Sequence, residues 1–404
     1  MDEITSRLKD ALKKIQPNIF DTLSRYQEIE LHDVELEIDE LELFLPQMVR
    51  PITSVIEEET KRKKPTELIQ VSYAPPAVKY NAKITEVILG ATKAEGGSRD
   101  RRLTIGGETS PLLQLNGVSN PHPPVISLDV FDTKIPLAKP VKAHFSDVLE
   151  DPVSWAKLAV EKFNAEMVNL HLVSIDPMVK DTTPAEASKT VENILQAVKV
   201  PIAVGGCGDP HKDLQVFERI AEVTKGERIL FNSVTLDMDI RRMAEAIRKN
   251  EHVVIAFTPM DMNKARELNR KLFEHLPPEQ IVIDTTTAAL GYGLDYAFTT
   301  MERTRLAGLM GDAELAQPMA SGTTNAWAAR EAWMKMPSEW GPSELRGPIW
   351  ETVTALTLLL AGVDYFMMMH PAAVKTVKDV IKSIVEKREM IDRPYDWTRI
   401  RIGE

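Results

Sequence analysis

The clearest pattern in the chain is an alternation of short apolar runs and longer helical patterns between Val125 and His370. The eight runs are VISLDVF, MVNLHLV, PIAVGGC, RILFNSV, HVVIAFT, IVIDTTT, QPMASGT and DYFMMMH. Continuous apolar runs that end in small polar residues are typical of parallel strands buried on both faces. Eight strand–helix units predict an α/β fold, a (β/α)8 TIM barrel with an N-terminal extension. A doubly wound open sheet is the alternative, and the short loops favour closure.

The segments between the runs carry helix-starting signals, in which a capping side chain precedes proline at the first helical position. These pairs are Asp151-Pro152, Thr183-Pro184 and Asp209-Pro210. Helices are predicted over residues 152–164, 184–199, 211–224, 238–249, 261–275, 294–308, 323–335 with 348–362, and 371–388. The run QPMASGT is the weakest strand, because it is short and contains Pro318 and Gly322.

The part of the chain before the barrel divides into two segments. Residues 1–65 form an acidic extension, in which a helical pattern is followed by the alternating IELHDVELEIDELELFLP and the charge run EEETKRKKP. This extension is either a solvated linker or a docking arm for a partner. Residues 66–123 carry LIQVSYAPP, AKITEVILGA and RLTIGGETSP, which we interpret as short strands covering the bottom of the barrel. Residues 124–404 form the barrel itself.

Composition narrows the classes of function. The net charge of −11 argues against a nucleic-acid partner. The single cysteine, Cys207, cannot form a disulfide within the chain, which fits a cytoplasmic protein. It also cannot hold an iron–sulfur cluster, which normally takes about four cysteines. The apolar stretch TVTALTLLLAGV is shorter than the roughly 20 residues that span a bilayer, so no membrane partner is expected.

The predicted C-terminal ends of the strands, where TIM barrels carry their chemistry, are polar. They present Asp129, Asp132, Ser174, Asp176, Asn232, Ser233, Thr258, Asp284, Thr285, Thr286, Thr287, Ser321, Thr323, Asn325 and His370. Hydroxyl, amide and carboxyl groups suit a large amide-bearing ligand or a pterin and are poorly suited to a polyphosphate. Asp176, Asp209 and Asp261 are expected to be helix caps, and the strand histidines His171 and His370 to be core residues.

Signatures of catalysis are sparse. The sequence has no GxGxxG after a strand, no P-loop, no HExxH and no CxxC pair. Asp129, Asp176 and Asp284 are candidate general acids if they are buried, but no base-orienting partner is evident. We therefore predict no catalytic residue and no metal ligand.

Several segments in order resemble a known family. GGETSPLL, NPHPPVISLDVFD, VNLHLVSIDP, PIAVGGCGDPHKD and VIDTTTAALGYGLDY are similar to segments of the delta-subunit family of the archaeal acetyl-CoA decarbonylase/synthase complex. That family is the counterpart of the small subunit of the bacterial corrinoid iron–sulfur protein. The resemblance covers residues 66–404.

The resemblance implies a subunit of a methyl-transferring complex of one-carbon metabolism. Such a subunit pairs as a heterodimer with a gamma subunit, which carries a corrinoid and an iron–sulfur cluster, and assembles with acetyl-CoA synthase and CO dehydrogenase subunits. It caps the corrinoid during methyl transfer between a tetrahydropterin and acetyl-CoA synthase, and it maintains quaternary structure. The chain lacks the DxHxxG motif of corrinoid ligation, so it is expected to provide contacts and not the cobalt ligand.

The residues expected to face the corrin or its access path share a position at the predicted mouth of the barrel. They are Asp129, Ser174, Asn232, Asp284, Thr285, Ser321 and Thr323. Two alternatives stay open. One is a stand-alone pterin-dependent methyltransferase that uses the same mouth, with Asp129 or Asp284 as the acid. The other is a scaffold whose polar strand ends are only caps.

Overall fold

The computed structural model describes residues 78–112 and 120–385. The predicted acidic extension and the run LIQVSYAPP lie outside these residues. The described chain begins with two short strands, β1 (Val87–Leu89) and β2 (Leu103–Ile105), which pair antiparallel.

Eight parallel strands follow and form the predicted barrel. They are β3 (Val125–Phe131), β4 (Met167–His171), β5 (Ile202–Gly205), β6 (Leu230–Val234), β7 (Val253–Phe257), β8 (Ile281–Asp284), β9 (Ala320–Ser321) and β10 (Tyr365–Met368). Their order in the sheet is β8-β7-β6-β5-β4-β3-β10-β9. The outer strands meet where Ile283 N donates to Pro318 O at 2.9 Å and Ile283 bridges Met319 in parallel. The TIM-barrel prediction is therefore confirmed.

Helices connect the strands. They are α1 (Lys139–Phe145), α2 (Pro152–Glu161), α3 (Pro184–Ala197), α4 (Pro210–Val223), α5 (Ile240–Asn250), α6 (Met262–Phe273), α7 (Leu294–Leu309), α8 (Arg330–Trp333), α9 (Ser343–Leu360) and α10 (Pro371–Val385). The predicted caps Asp151, Thr183, Asp209 and Asp261 each accept hydrogen bonds from backbone N–H groups of the helix that follows. These side chains satisfy donors that a helix leaves free at its first turn.

Three expectations about local structure were wrong. Helix α1 was not predicted, although Pro140 stands in its first turn. The helix expected over 323–335 is a 3-10 segment, Thr323–Ala328, followed by the short α8, and α9 begins at residue 343 and not 348. Asp176 does not cap a helix: it accepts from Met178 N at 2.7 Å within a turn. Short polar side chains form such local bonds in turns as readily as at helix ends.

The bottom of the barrel is filled by apolar side chains. Each barrel strand contributes an inward residue to one cluster: Val125, Met167, Ala203, Leu230, Val253, Val282, Ala320 and Tyr365. Val87, Leu89 and Ile105 of β1 and β2 pack against the same cluster. The lower half of the barrel is therefore a closed core, as is usual for this fold, and carboxyls such as Asp129 lie nearer the opposite end.

The shortest strand of the barrel is supported by a buried ion cluster. Asp364 accepts from Met319 N at 2.7 Å just before β9, and Asp364 N donates to Met319 O at 2.8 Å. Arg305 of α7 pairs with Asp364 and lies 3.3 Å from Glu108, and it also donates to Gly362 O at 2.5 Å. The three charged side chains are almost fully buried. Glu108 belongs to the GGETSP segment. Its ion pair with Arg305 therefore holds this segment against the junction between β9 and β10.

In the part of the chain that the structure describes, no helix is both long and apolar enough to cross a membrane.

Replacing Arg305 tests the importance of this cluster. Arg305→Met leaves Asp364 and Glu108 buried without a cation, which costs about 3–5 kcal/mol when a buried pair is broken. We expect a loss of that size in the free energy of unfolding, measured by urea denaturation. Arg241→Met is the matched control, because Arg241 pairs with Glu245 on an exposed helix face and such pairs contribute little. Equal effects of the two substitutions would contradict the interpretation.

Candidate functional site

A buried carboxylate organises the upper end of the barrel. Asp129 points inward from β3, and the strand register places it opposite Asn169 of β4. Asn169 Nδ2 donates to Asp129 Oδ1 at 2.8 Å, and His171 Nε2 lies 3.2 Å from Oδ2. The hydroxyl of Thr324 also donates to Oδ2. Three side chains thus surround a carboxylate that has no exposed surface.

A chain of hydroxyl groups links β8 and β9. Thr287 Oγ1 and Ser321 Oγ are 2.8 Å apart, and Ser321 Oγ and Thr323 Oγ1 are also 2.8 Å apart. Asn325 Nδ2 donates to Thr287 O at 3.1 Å. Each hydroxyl can donate and accept, so these bonds satisfy one another without a ligand.

Asp284 at the end of β8 lies in a different environment. Burial raises the pKa of its carboxyl to about 7, and the hydrogen bond from Thr286 N at 2.8 Å opposes that rise in part. A substantial fraction of the group is therefore neutral near pH 7 and can donate a proton or a hydrogen bond. The neighbouring hydroxyls of Thr258 and Thr285 are buried without a hydrogen-bond partner in the described structure. The alternation of β7 and β8 places both side chains on the outer face of the strands, where the residues pack against the helices.

Two predicted site residues have more local roles. Ser174 donates to Asp132 through its N–H at 3.0 Å and through its hydroxyl, which fixes the loop after β4 against the loop after β3. Burial raises the pKa of Asp132, while the bonds from Ser174 act in the opposite direction. Asn232, half-buried at the end of β6, places Nδ2 3.3 Å from Met367 Sδ, and thioether sulfur is a weak acceptor.

The two strand histidines differ. His370 is a buried core residue, as expected: its ring stacks on Trp327 and burial lowers its pKa to about 4. The backbone N–H groups of Met369 and His370 donate to the carboxyl of Glu351. Glu351 is buried, and burial raises its pKa to about 8. His171 does not fit the core expectation, because its side chain is 24% exposed and its ring lies beside Asp129.

The structure brings together only part of the predicted set. Ser321 and Thr323 share the hydroxyl chain, and Asp284 and Thr285 are consecutive. Asp129 belongs to a separate cluster whose other members, Asn169, His171 and Thr324, sequence reasoning missed. The signal was present for two of them, since the period-2 alternation of a strand places Asn169 and His171 on the same face. Thr324 follows a strand too short for such a signal.

Among the described residues, no group of three or more histidine, cysteine, aspartate or glutamate side chains is arranged to hold a metal ion. The side chains of the mouth can supply hydrogen bonds, and Asp284 can exchange a proton near neutral pH.

Known proteins are similar to the chain over most of its length. The model of the CO dehydrogenase/acetyl-CoA synthase delta subunit family matches residues 86–337. The acetyl-CoA decarbonylase/synthase complex subunit delta of Archaeoglobus fulgidus is 53% identical over 329 residues, which are 80% of this chain and 73% of that protein. The subunit delta of Methanothermobacter thermautotrophicus is 41% identical over 398 residues, 98% of this chain and 96% of that protein.

Among solved structures, dihydropteroate synthase from Thermus thermophilus in complex with 6HMPPP matches with a TM-score of 0.43 and 13% identity, over 73% of this chain and 97% of that chain.

The raised pKa of Asp284 predicts a pH dependence of stability. An unfolded aspartate ionises near pH 4, whereas the folded carboxyl ionises near pH 7, so the native state retains a proton that the unfolded state releases. Stability contributed by the neutral group is therefore full below about pH 4 and is lost as the pH rises to about 7. At about 1.36 kcal/mol per pKa unit, the upper bound of this loss is about 4 kcal/mol.

Asp284→Asn has no such titration, so its free energy of unfolding should decrease less than that of the unmodified chain between pH 4 and pH 8. Urea denaturation at a series of pH values measures the difference, in which other titrating groups such as Glu351 cancel. Parallel curves for the two proteins would show that the Asp284 carboxyl is ionised throughout.

Proposed function

The chain belongs to the CO dehydrogenase/acetyl-CoA synthase delta subunit family, and from that membership we propose that it works as the delta subunit of an acetyl-CoA decarbonylase/synthase complex. In this role it pairs with a gamma corrinoid iron–sulfur subunit and covers the corrinoid at the subunit interface. It does so while a methyl group moves between a tetrahydropterin and acetyl-CoA synthase, and it helps to maintain the quaternary structure of the complex.

The observation that carries the proposal is a polar barrel mouth in a chain with one cysteine. The 404-residue sequence cannot supply the four cysteines of an iron–sulfur cluster, so that cluster belongs to a partner. The mouth offers the half-buried amide of Asn232 and the carboxyl of Asp284, whose pKa burial raises to about 7. Such groups fit a ligand with many amide side chains, as a corrinoid has.

The residues that would hold the corrinoid are those with hydrogen-bonding capacity left over. Asn232 can donate through its amide, and the carboxyl of Asp284 can donate when it is protonated. The corrinoid, when bound, supplies the cobalt that carries the methyl group. These two residues would orient the corrin, while the apolar side chains of the lower barrel keep water from entering from that end.

Asp284 is the specific observation in favour of the second candidate, a pterin-dependent methyltransferase that acts without a partner. Removal of a methyl group from a pterin nitrogen is assisted by a proton at that nitrogen. A carboxyl whose pKa burial raises to about 7 can hold such a proton at neutral pH. The first candidate also gives a role to the residues before the barrel, because a subunit of a complex can use such a segment to bind its partners. We therefore prefer it.

Co-expression with a gamma-type subunit tests the first candidate. We expect a stable heterodimer that has a corrinoid absorption spectrum. The double substitution Asn232→Ala with Asp284→Ala should reduce the affinity for the corrinoid by about tenfold or more, because two hydrogen bonds contribute roughly 1 kcal/mol each. Asn263→Ala, on an exposed position of α6, is the matched control and should leave the affinity unchanged.

The other outcomes separate the remaining alternatives. Recovery of monomers only, without effect on the gamma subunit's corrinoid, would exclude the subunit proposal. A heterodimer with unchanged corrinoid affinity in the double variant would favour the scaffold. Methylation of free cobalamin by the purified chain alone would favour the second candidate.

A further inference from the structure

His171 has a fixed orientation at the mouth of the barrel. It is the last residue of β4, and its ring stacks on Phe131 with the centroids 4.8 Å apart and an angle of 13° between the planes. The Nε2 edge faces inward, 3.2 Å from Asp129 Oδ2 and 2.9 Å from Asn169 Nδ2. The stacking on Phe131 and the contacts of Nε2 together fix the orientation of the ring, and therefore the direction in which Nδ1 points.

That other nitrogen, Nδ1, makes no hydrogen bond to any residue that the structure describes. It faces the end of β5, where a Cβ atom placed on Gly205 would lie 3.5 Å from Nδ1 and 3.5 Å from Asn232 O. Because Gly205 has no side chain, the approach to Nδ1 from this side stays open. The 24% exposure of the His171 side chain agrees with this access.

The surroundings of Nε2 determine what Nδ1 can do. Asp129 is fully buried, and no lysine or arginine of the described chain forms an ion pair with it. Asn169 Nδ2, an amide donor, lies at hydrogen-bond distance from Nε2, so Nε2 is the acceptor of this bond. The other hydrogen of the same amide group is donated to Asp129 Oδ1. Because Nε2 accepts, the ring proton is on Nδ1, which is a hydrogen-bond donor.

We propose that His171 Nδ1 is a recognition atom of the mouth, which donates a hydrogen bond to a carbonyl group of the bound ligand. This inference rests on the proposed function, which offers two sources of such a group: the ring of a reduced pterin and the amide side chains of a corrinoid. His171 is a binding residue here, Asp129 and Asn169 position it, and Gly205 keeps the approach free.

Two substitutions test the role of Nδ1 in the full chain. His171→Gln removes the ring nitrogen. Gly205→Ala adds a methyl group at ordinary van der Waals distance from its neighbours, so the fold is retained while the approach to Nδ1 is blocked. His211→Gln, at an exposed position of α4, is the control. Thermal denaturation of all three variants checks that each is folded.

Binding is measured by calorimetry without oxygen, with 6-methyltetrahydropterin in one arm and cobinamide in the other. We expect His171→Gln and Gly205→Ala to weaken binding of the same probe by about tenfold, the effect of losing one hydrogen bond of roughly 1.4 kcal/mol. His211→Gln should bind as the unmodified chain does. The arm in which affinity falls identifies the source of the carbonyl group.

Nitrogen-15 NMR of labelled histidine gives a readout that needs no ligand. We expect the His171 signals of a ring protonated at Nδ1, and a shift of the Nδ1 signal when the probe binds. An unprotonated Nδ1 in the free chain would overturn the inference. Unchanged affinity in both variants, or no binding of either probe, would overturn the assignment of the ligand. Failure of the proposed function is seen separately, as failure to form the heterodimer with the gamma-type subunit.

Discussion

The buried ion cluster of Arg305, Asp364 and Glu108 is the contact on which closure of the barrel depends most. Strand β9 has only two residues, so its own ladder of hydrogen bonds is short. Asp364 adds a side-chain bond to Met319 N, and Arg305 keeps the Asp364 carboxylate in place. Burial of charge is unfavourable unless the partners satisfy one another, and here one cation serves two carboxylates and a carbonyl. The site above β9 therefore depends on an interaction at the opposite end of the barrel.

The barrel interior changes character along its axis. At the bottom, inward residues such as Val253 and Tyr365 form an apolar cluster closed by β1 and β2. Further along several of the strands the inward residues are polar, and Asp129 and Asp284 are both carboxyls. Their surroundings separate them: Asp129 accepts from several side chains, whereas Asp284 receives one backbone N–H and its pKa is raised by burial. Two aspartates of the same barrel thus have different chemistry.

The sequence allowed the fold to be predicted because strand burial and helix capping are local signals. Asp151 and Thr183 were correctly assigned as caps from their neighbours alone. Arg305 could not be identified in this way, since an arginine within an amphipathic helix has the same local pattern whether it is exposed or buried. His171 was assigned to the core because the strand pattern does not show that β5 ends in glycine beside it. Such contacts join residues far apart in the sequence, so they follow only from the three-dimensional arrangement.

The two sides of the mouth contain similar residue types, but they differ in how many polar atoms remain free to form hydrogen bonds. On the β9 side, Ser321 and Thr323 are satisfied by each other and by Thr287, so they need no ligand. On the side formed by β4 to β8, capacity remains at the amide of Asn232, at the carboxyl of Asp284 and at His171 Nδ1. The glycines that end β5 lie within this side and leave space without side chains. In the proposed function, a ligand that enters the mouth therefore binds to residues at the ends of β4 to β8. The hydroxyl groups at the end of β9 already bond to one another and line the opposite side.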